Sequence, residues 1–386
     1  MKKRKDHVNT HENAKITIVT SGLDLTSHAI LSNMVDVLLG STKGKIDLIM
    51  ARVPLLRVPN GESRVCIKQV MTHREQYRFG IISRILKELF VQLKISYTLV
   101  KENKSDAYIF FLSQSLAIPI VTLRLMRRKV ILSVGASCSE IAKSRTDRLL
   151  LIPKMEERIG YKLANRIVVY SNILIDRWKI SKYKNKISVA HEHFLNFDKL
   201  KIQIRFVKRE CLIGFIGRFS EEKGTMNFAK AILEVLREKN ESEFLMGGDG
   251  NIKNEIEKYL YERNLINKVS FPGWISHEII HEYLNKLKLL VIPSYTEGLP
   301  NIMLEAMACG TPVLATPVGA IPDYIKDGET GFIMENNSPE CIAQNVIRVL
   351  NHPNLEQIAN NGRELVEKEF TFEKAVEGYR EMLDKL

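Results

Sequence analysis

The sequence predicts an α/β protein of two doubly wound, Rossmann-like domains facing a cleft. Three observations carry that reading. Short apolar, β-branched runs alternate with helix-period stretches along most of the chain, and strands separated by helices form a parallel sheet covered on both faces. The length of 386 residues is enough for two cores. Turns bearing Gly or Pro follow strands in both halves, at Ser21-Gly22 and at Gly298 to Pro300, the places where such domains hold phosphate or sugar.

Residues 1–13 are polar and basic and read as a flexible tail, with no apolar stretch to make a signal peptide. Lys15 to Val19 is a first strand, Gly22 lies in the turn, and Leu25 to Leu39 is a helix. Lys45 to Met50 is a second strand. Residues 52–80, basic with two prolines, read as a long irregular segment. In Arg84 to Lys94, Leu86, Leu89, Phe90 and Leu93 recur at helical spacing. A core-facing helix is the default there, and the basic flanks make membrane docking the alternative. The greasiest segment, Ala107 to Leu123, has 17 residues and includes Ser113, Gln114, Ser115 and Pro119. A membrane span needs about 20, so it reads as strand, loop and helix, with an interfacial helix as the alternative. Lys129 to Val134, Arg166 to Tyr170 and Lys186 to Ala190 are further strands. A charged run from Leu200 to Glu210 joins the expected domains, 14–203 and 204–370.

In the second domain, strand Cys211 to Ile216 precedes helix Thr225 to Glu238. Strands Glu243 to Met246 and Lys268 to Phe271 and helix Lys253 to Arg263 follow, with another helix from His277. Then comes LLVIPSYTEGLPNIMLEAMACGTPVLAT, Leu289 to Thr316, which reads as strand, loop, helix, turn and strand. Pro300 suits a helix start, and Gly310 with Pro312 stops the helix. Glu297 and Glu305 have seven residues between them, and Asn301 shares a helix face with Glu305. Carboxylates accept from sugar hydroxyls and helix N-terminal amides hold phosphate, so the loop suits a phosphorylated polyol. In GRFSEEKGT, Gly217 opens a loop carrying Arg218 and Lys223, five residues apart. Two fixed cations there would stabilise charge growing on a departing pyrophosphate.

These motifs resemble those of retaining, family-4-type glycosyltransferases, whose signature is Glu, seven residues, Glu. The likeness runs strongly from Leu212 to about Leu350, and GAIPDYIKDGETGFIM also fits it. It implies the GT-B fold, with a last helix, 371–386, crossing back to the first domain. It also implies transfer of a sugar from a UDP or GDP donor to a glycan or lipid-linked acceptor, with the anomeric configuration retained. By resemblance, Arg218, Lys223 and Glu297 are catalytic and Glu305 binds ribose. Gly22, Gly217, Gly298, Leu299, Pro300 and Asn301 line the donor, and backbone groups of Trp274 and Ile275 meet the base. The Trp274 side chain itself reads as core. No cofactor or metal is expected beyond the nucleotide sugar.

The pattern departs in VILSVGASCSE, where many relatives carry a His and this chain has Gly135, Ala136 and Ser137. Two other readings therefore remain open: an epimerase of the same fold, and a catalytically weak donor-binding subunit. The pair His191 and His193 around Glu192 lacks a third ligand and reads as structural. Residues 1–200 hold 35 Lys and Arg against 17 Asp and Glu, whereas the rest hold 22 against 28. The basic first half predicts an anionic partner, a membrane surface rather than nucleic acid. Five scattered cysteines fit a reducing compartment, so the expected place is cytoplasmic, peripheral to the inner membrane face.

Overall fold

The computed structural model describes residues 12–21, 28–51, 62–70, 81–102, 104–112, 116–135, 137 and 151–386. Gly22, most of the basic tail and Ala136 lie outside them. The described residues fall into two compact units. One holds the chain up to Phe194 together with Phe372–Leu386, and the other holds Leu195–Thr371.

The first unit runs β1 (Ile16–Thr20), α1 (His28–Ser41), β2 (Ile46–Met50), β3 (Val65–Gln69), α2 (Ile81–Glu102), β4 (Ala107–Phe111), α3 (Ala117–Leu125) and β5 (Lys129–Val134). It continues with α4 (Leu151–Leu163), β6 (Arg166–Val169), α5 (Ile173–Arg177) and β7 (Ile187–Val189). All pairings are parallel, in the order β3-β2-β1-β4-β5-β6-β7. β1, β2 and β4 are buried along their whole length, as strands covered on both faces must be.

Two expectations need correction here. β3 lies inside the segment read as irregular. Its sequence VCIKQ is mostly exposed at the sheet edge, so it lacks the apolar run that marks a buried strand. On α2, Leu86, Leu89, Phe90 and Leu93 do not face the core; all four are exposed. Val91, Ile95 and Leu99 face it instead.

The second unit runs β8 (Leu212–Ile216), α6 (Thr225–Glu238), β9 (Glu243–Gly247), α7 (Lys253–Glu262), β10 (Val269–Gly273), α8 (Ile280–Leu284), β11 (Leu289–Ile292) and α9 (Asn301–Ala308). It ends with β12 (Val313–Ala315), α10 (Ile321–Tyr324), β13 (Phe332–Ile333), α11 (Pro339–Leu350) and α12 (Leu355–Glu369). Its parallel sheet has the order β10-β9-β8-β11-β12-β13. Both units are thus Rossmann-like. The last helix, α13 (Phe372–Asp384), follows the second unit in sequence but buries Ala375, Val376, Tyr379, Met382 and Leu383 in the first unit's core.

In the His191 to His193 stretch, His193 is buried beside Glu192. Glu192 is fully buried and accepts from the hydroxyls of Tyr170 and Tyr379. Burial lifts its pKa to about 7, and burial likewise pushes His191 down to about 4.

Candidate active site

The site begins at the topological switch of the second sheet. β8 and β11 are neighbours there, but the sheet continues from β8 to β9 on one side and from β11 to β12 on the other. The crevice outside their carboxyl ends is where open α/β sheets take ligands. Gly217 to Gly224 leaves β8, and Pro293 to Pro300 leaves β11.

Backbone contacts fix these two loops to each other. Gly224 has a left-handed φ of +65°, and a Cβ on it would stand 2.0 Å from the Pro293 carbonyl oxygen. The Tyr295 amide donates to the Glu222 carbonyl at 2.9 Å. From the other side, Thr316 Oγ1 donates to the Ser294 carbonyl at 2.6 Å, and the Ala320 amide donates to the Gly298 carbonyl at 2.8 Å. Gly319 sits so close that a Cβ would lie 2.4 Å from the carbonyl oxygens of Glu297 and Gly298.

On this frame Lys223 Nζ meets Glu297 Oε1 at 2.7 Å, and the Glu297 side chain is only 9% exposed. Ser294 Oγ donates to the same oxygen at 2.7 Å. No local pattern marks Ser294 for this role, since it follows a strand-ending proline like many loop serines. Arg218 is on the same loop as Lys223, half-exposed, with Nη1 3.9 Å from Glu222. The Gly217 amide donates to the Gly247 carbonyl, so only its carbonyl and its lack of a side chain are left to serve a ligand.

Helix α9 follows directly. Pro300 is its N-cap, without a side-chain cap bond, and Leu299 and Pro300 are buried. The Met303 amide bonds back to Pro300, and helix geometry leaves those of Asn301 and Ile302 without an intrahelical acceptor. The other end is closed by Arg209, which donates to the Cys309 carbonyl at 2.8 Å and to Thr311 and Leu287. Burial lowers the Arg209 pKa to about 10, so it stays a cation at the helix C-terminus, where a cation is favoured.

Glu305, one turn after Asn301 and 9% exposed, accepts from His277 Nδ1 at 3.0 Å. His277 was missed in the sequence, where a lone His after a strand carries no pattern. It comes three residues after Trp274, so the loop following β10 converges on α9. Trp274 is 56% exposed and is not core; the buried place belongs to Ile275, which packs against Gly247. Gly273, with φ +74° and open space around it, turns the chain so that Trp274 points outward.

The hydrogen bond to Glu305 raises the His277 pKa above 6.5. A raised folded value means the contribution to stability is full below pH 6.5 and fades as pH climbs through the folded pKa. Because His277 is more than half exposed, solvent keeps this small. His277→Ala is expected to lower the melting temperature more at pH 5.5 than at pH 8.5, as a paired thermal melt would show. An equal loss at both pH values would mean packing alone.

Residues 196–365 match the family model described as glycosyl transferases group 1. The uncharacterized glycosyltransferase MJ1178 of Methanocaldococcus jannaschii is 27% identical over 64% of this chain, and the match spans 61% of that relative's length, under two thirds of it. A GalNAc-alpha-(1->4)-GalNAc-alpha-(1->3)-diNAcBac-PP-undecaprenol alpha-1,4-N-acetyl-D-galactosaminyltransferase of Campylobacter jejuni is 24% identical over 81% of this chain and 84% of its own. In structure, HepE of Anabaena in complex with UDP and glucose superposes with a TM-score of 0.76 at 14% identity, covering 97% of this chain and 100% of HepE. That likeness gives the fold as GT-B. The stretch that matches the group 1 glycosyl transferase model, residues 196–365, carries both the Lys223–Glu297 and the His277–Glu305 pairs.

Proposed function

We propose that this protein is a glycosyltransferase that moves a sugar from a nucleoside diphosphate donor to an acceptor hydroxyl, with retention at the anomeric carbon. The observation that carries the reading is the Lys223–Glu297 pair held at the switch point of the second sheet. In transfer, the bond between the anomeric carbon and the diphosphate oxygen breaks. A bond to the acceptor oxygen forms, and the hydroxyl proton passes to the departing diphosphate oxygen. Lys223 and Arg218 stabilise the charge gathering on the diphosphate. Glu297 accepts from sugar hydroxyls through the oxygen that Lys223 and Ser294 leave open. Glu305 accepts from the ribose, with His277 holding its other oxygen. The α9 amides at Asn301 and Ile302 face phosphate or sugar oxygens, and the Trp274-Ile275 loop lies beside the base.

The donor to try first is a UDP sugar, because HepE was solved with UDP and glucose. The acceptor to try first is lipid-linked, as in the Campylobacter enzyme, with the protein peripheral to the cytoplasmic membrane face. The family of residues 196–365 favours transfer over the epimerase and the inactive-subunit readings. No metal or further cofactor enters this scheme.

Thermal shift against UDP, GDP and their sugars tests the donor, since a ligand at 100 times its Kd stabilises by about 2.7 kcal/mol. The effective donor is then incubated with and without a lipid-linked acceptor pool. Free nucleotide with glycosylated acceptor is expected, and Glu305→Ala is expected to remove most of the thermal shift. An isomerised donor without acceptor would overturn the reading.

A further inference from the structure

Helix α2 of the first unit is apolar on two opposite faces. Val91, Ile95 and Leu99 lie in the core. Leu86, Leu89, Phe90, Leu93, Tyr97 and Val100 recur at three- and four-residue steps along the other face, and all six are exposed, Tyr97 by 65%. Lys87, Lys94 and Lys101, seven residues apart, run along one edge of that stripe. Lys94 Nζ lies 4.8 Å from the Phe90 ring centroid and Lys101 Nζ 5.7 Å from that of Tyr97.

The neighbouring helices also carry exposed apolar side chains. α2 packs on α3, and α3 on α4. The buried Gln92 ties the three together, accepting from the Ile118 amide and donating to Glu156. Leu125 on α3 and Leu151 and Met155 on α4 are strongly exposed. Monomeric proteins seldom leave so much apolar surface bare without a use for it.

We infer that this face is a membrane-docking surface for anionic bilayers, with α2 lying in the interface plane. No described helix is long and apolar enough to cross a membrane. An apolar stripe with lysines at its margin is the pattern of a helix that lies in the headgroup region, its lysine stems along the apolar surface and its ammonium groups at the phosphates. The charge selects the occupant. The stripe's edge is basic, and Arg124, Arg127, Lys154 and Arg158 lie on or just past the next two helices. Glu88 lies around the helix from the stripe, toward Glu156. A second copy of this chain would set basic edge against basic edge, whereas anionic lipid complements both the charge and the apolar row. This surface belongs to the first unit alone, and docking does not depend on the proposed transfer reaction.

The test is flotation of the full chain with vesicles of phosphatidylcholine, with and without phosphatidylglycerol. Binding to the mixed vesicles is expected, with little to phosphatidylcholine alone and loss at about 0.5 M salt. Changing Lys87, Lys94 and Lys101 to Gln together should weaken binding by about a hundredfold, at about fivefold per lysine. Leu86→Ser with Phe90→Ser and Leu93→Ser should weaken it by at least about thirtyfold without lowering the melting temperature, because those side chains are already exposed. A Leu93→Trp variant should be quenched by brominated acyl chains, a signal that charge attraction alone would not give. Equal flotation with both vesicle types would overturn the inference, as would an unchanged serine variant. So would a concentration-dependent dimer with no vesicle binding, which would make the face a self-association surface.

Discussion

Replacing Lys223 with alanine is expected to cut turnover by about 10²- to 10³-fold, the usual loss when one positioned charge-stabilising group is removed. The expected cause is geometric. Lys223 Nζ is held 2.7 Å from a carboxylate that is itself 9% exposed, so the cation is in place before any donor arrives. Its effect should fall on kcat more than on the donor KM, because the charge it meets grows as the diphosphate departs. Released nucleotide, followed at saturating and limiting donor, separates the two. Glu297 keeps its bond from Ser294 in the variant, so the fold should survive. Lys223→Arg retains the charge in a larger planar group and should recover only part of the rate. A turnover near wild type in Lys223→Ala would remove the cation from the chemistry.

The second large effect is expected of Gly224→Ala. Two penalties add at this position. A non-glycine residue at φ +65° is strained, and the new methyl would sit 2.0 Å from the Pro293 carbonyl oxygen, backbone that has no rotamer to escape into. Together these should cost about 4 kcal/mol, a fall in melting temperature on the order of ten degrees for a unit of this size. Gly273→Ala is the control. Gly273 has φ +74° but open space around it, so it carries the strain without the collision and should lose only about 1 kcal/mol. If both variants melt alike, the close approach at Pro293 is not what makes glycine necessary at position 224.

Much of the second unit was legible because the chain punctuates itself. The expected bounds of α6 agree with the structure, and those of β9 and α7 fall within one residue of it, since Gly or a polar turn stands next to each apolar run. Ser338 shows the mechanism, accepting from the Cys341 amide at the start of α11. Spacing and resemblance singled out Glu297, Glu305 and Lys223. Their partners were not singled out: Ser294 and His277 are defined by side chains meeting across loops, and local pattern does not encode that. α2 misled for a different reason. It carries two apolar stripes, one through Leu86 and Leu93 and one through Val91 and Leu99, and periodicity does not say which turns inward. The exposed edge strand β3 was missed because VCIKQ is short and mostly exposed, with no buried apolar run to mark it.

The close approach of Gly224 to Pro293 also bears on how the chain is made. Lys223 and Glu297 are 74 positions apart, so the clamp is a late event on the ribosome. A nascent chain that has extruded α6 but not β11 has the turn without the carbonyl it packs against. Domains form as units during synthesis, and distant pairings wait for their partners. Ribosome-stalled fragments ending before Pro293 should therefore leave the 217–224 loop open to protease, and protection should begin only when β11 has cleared the exit tunnel.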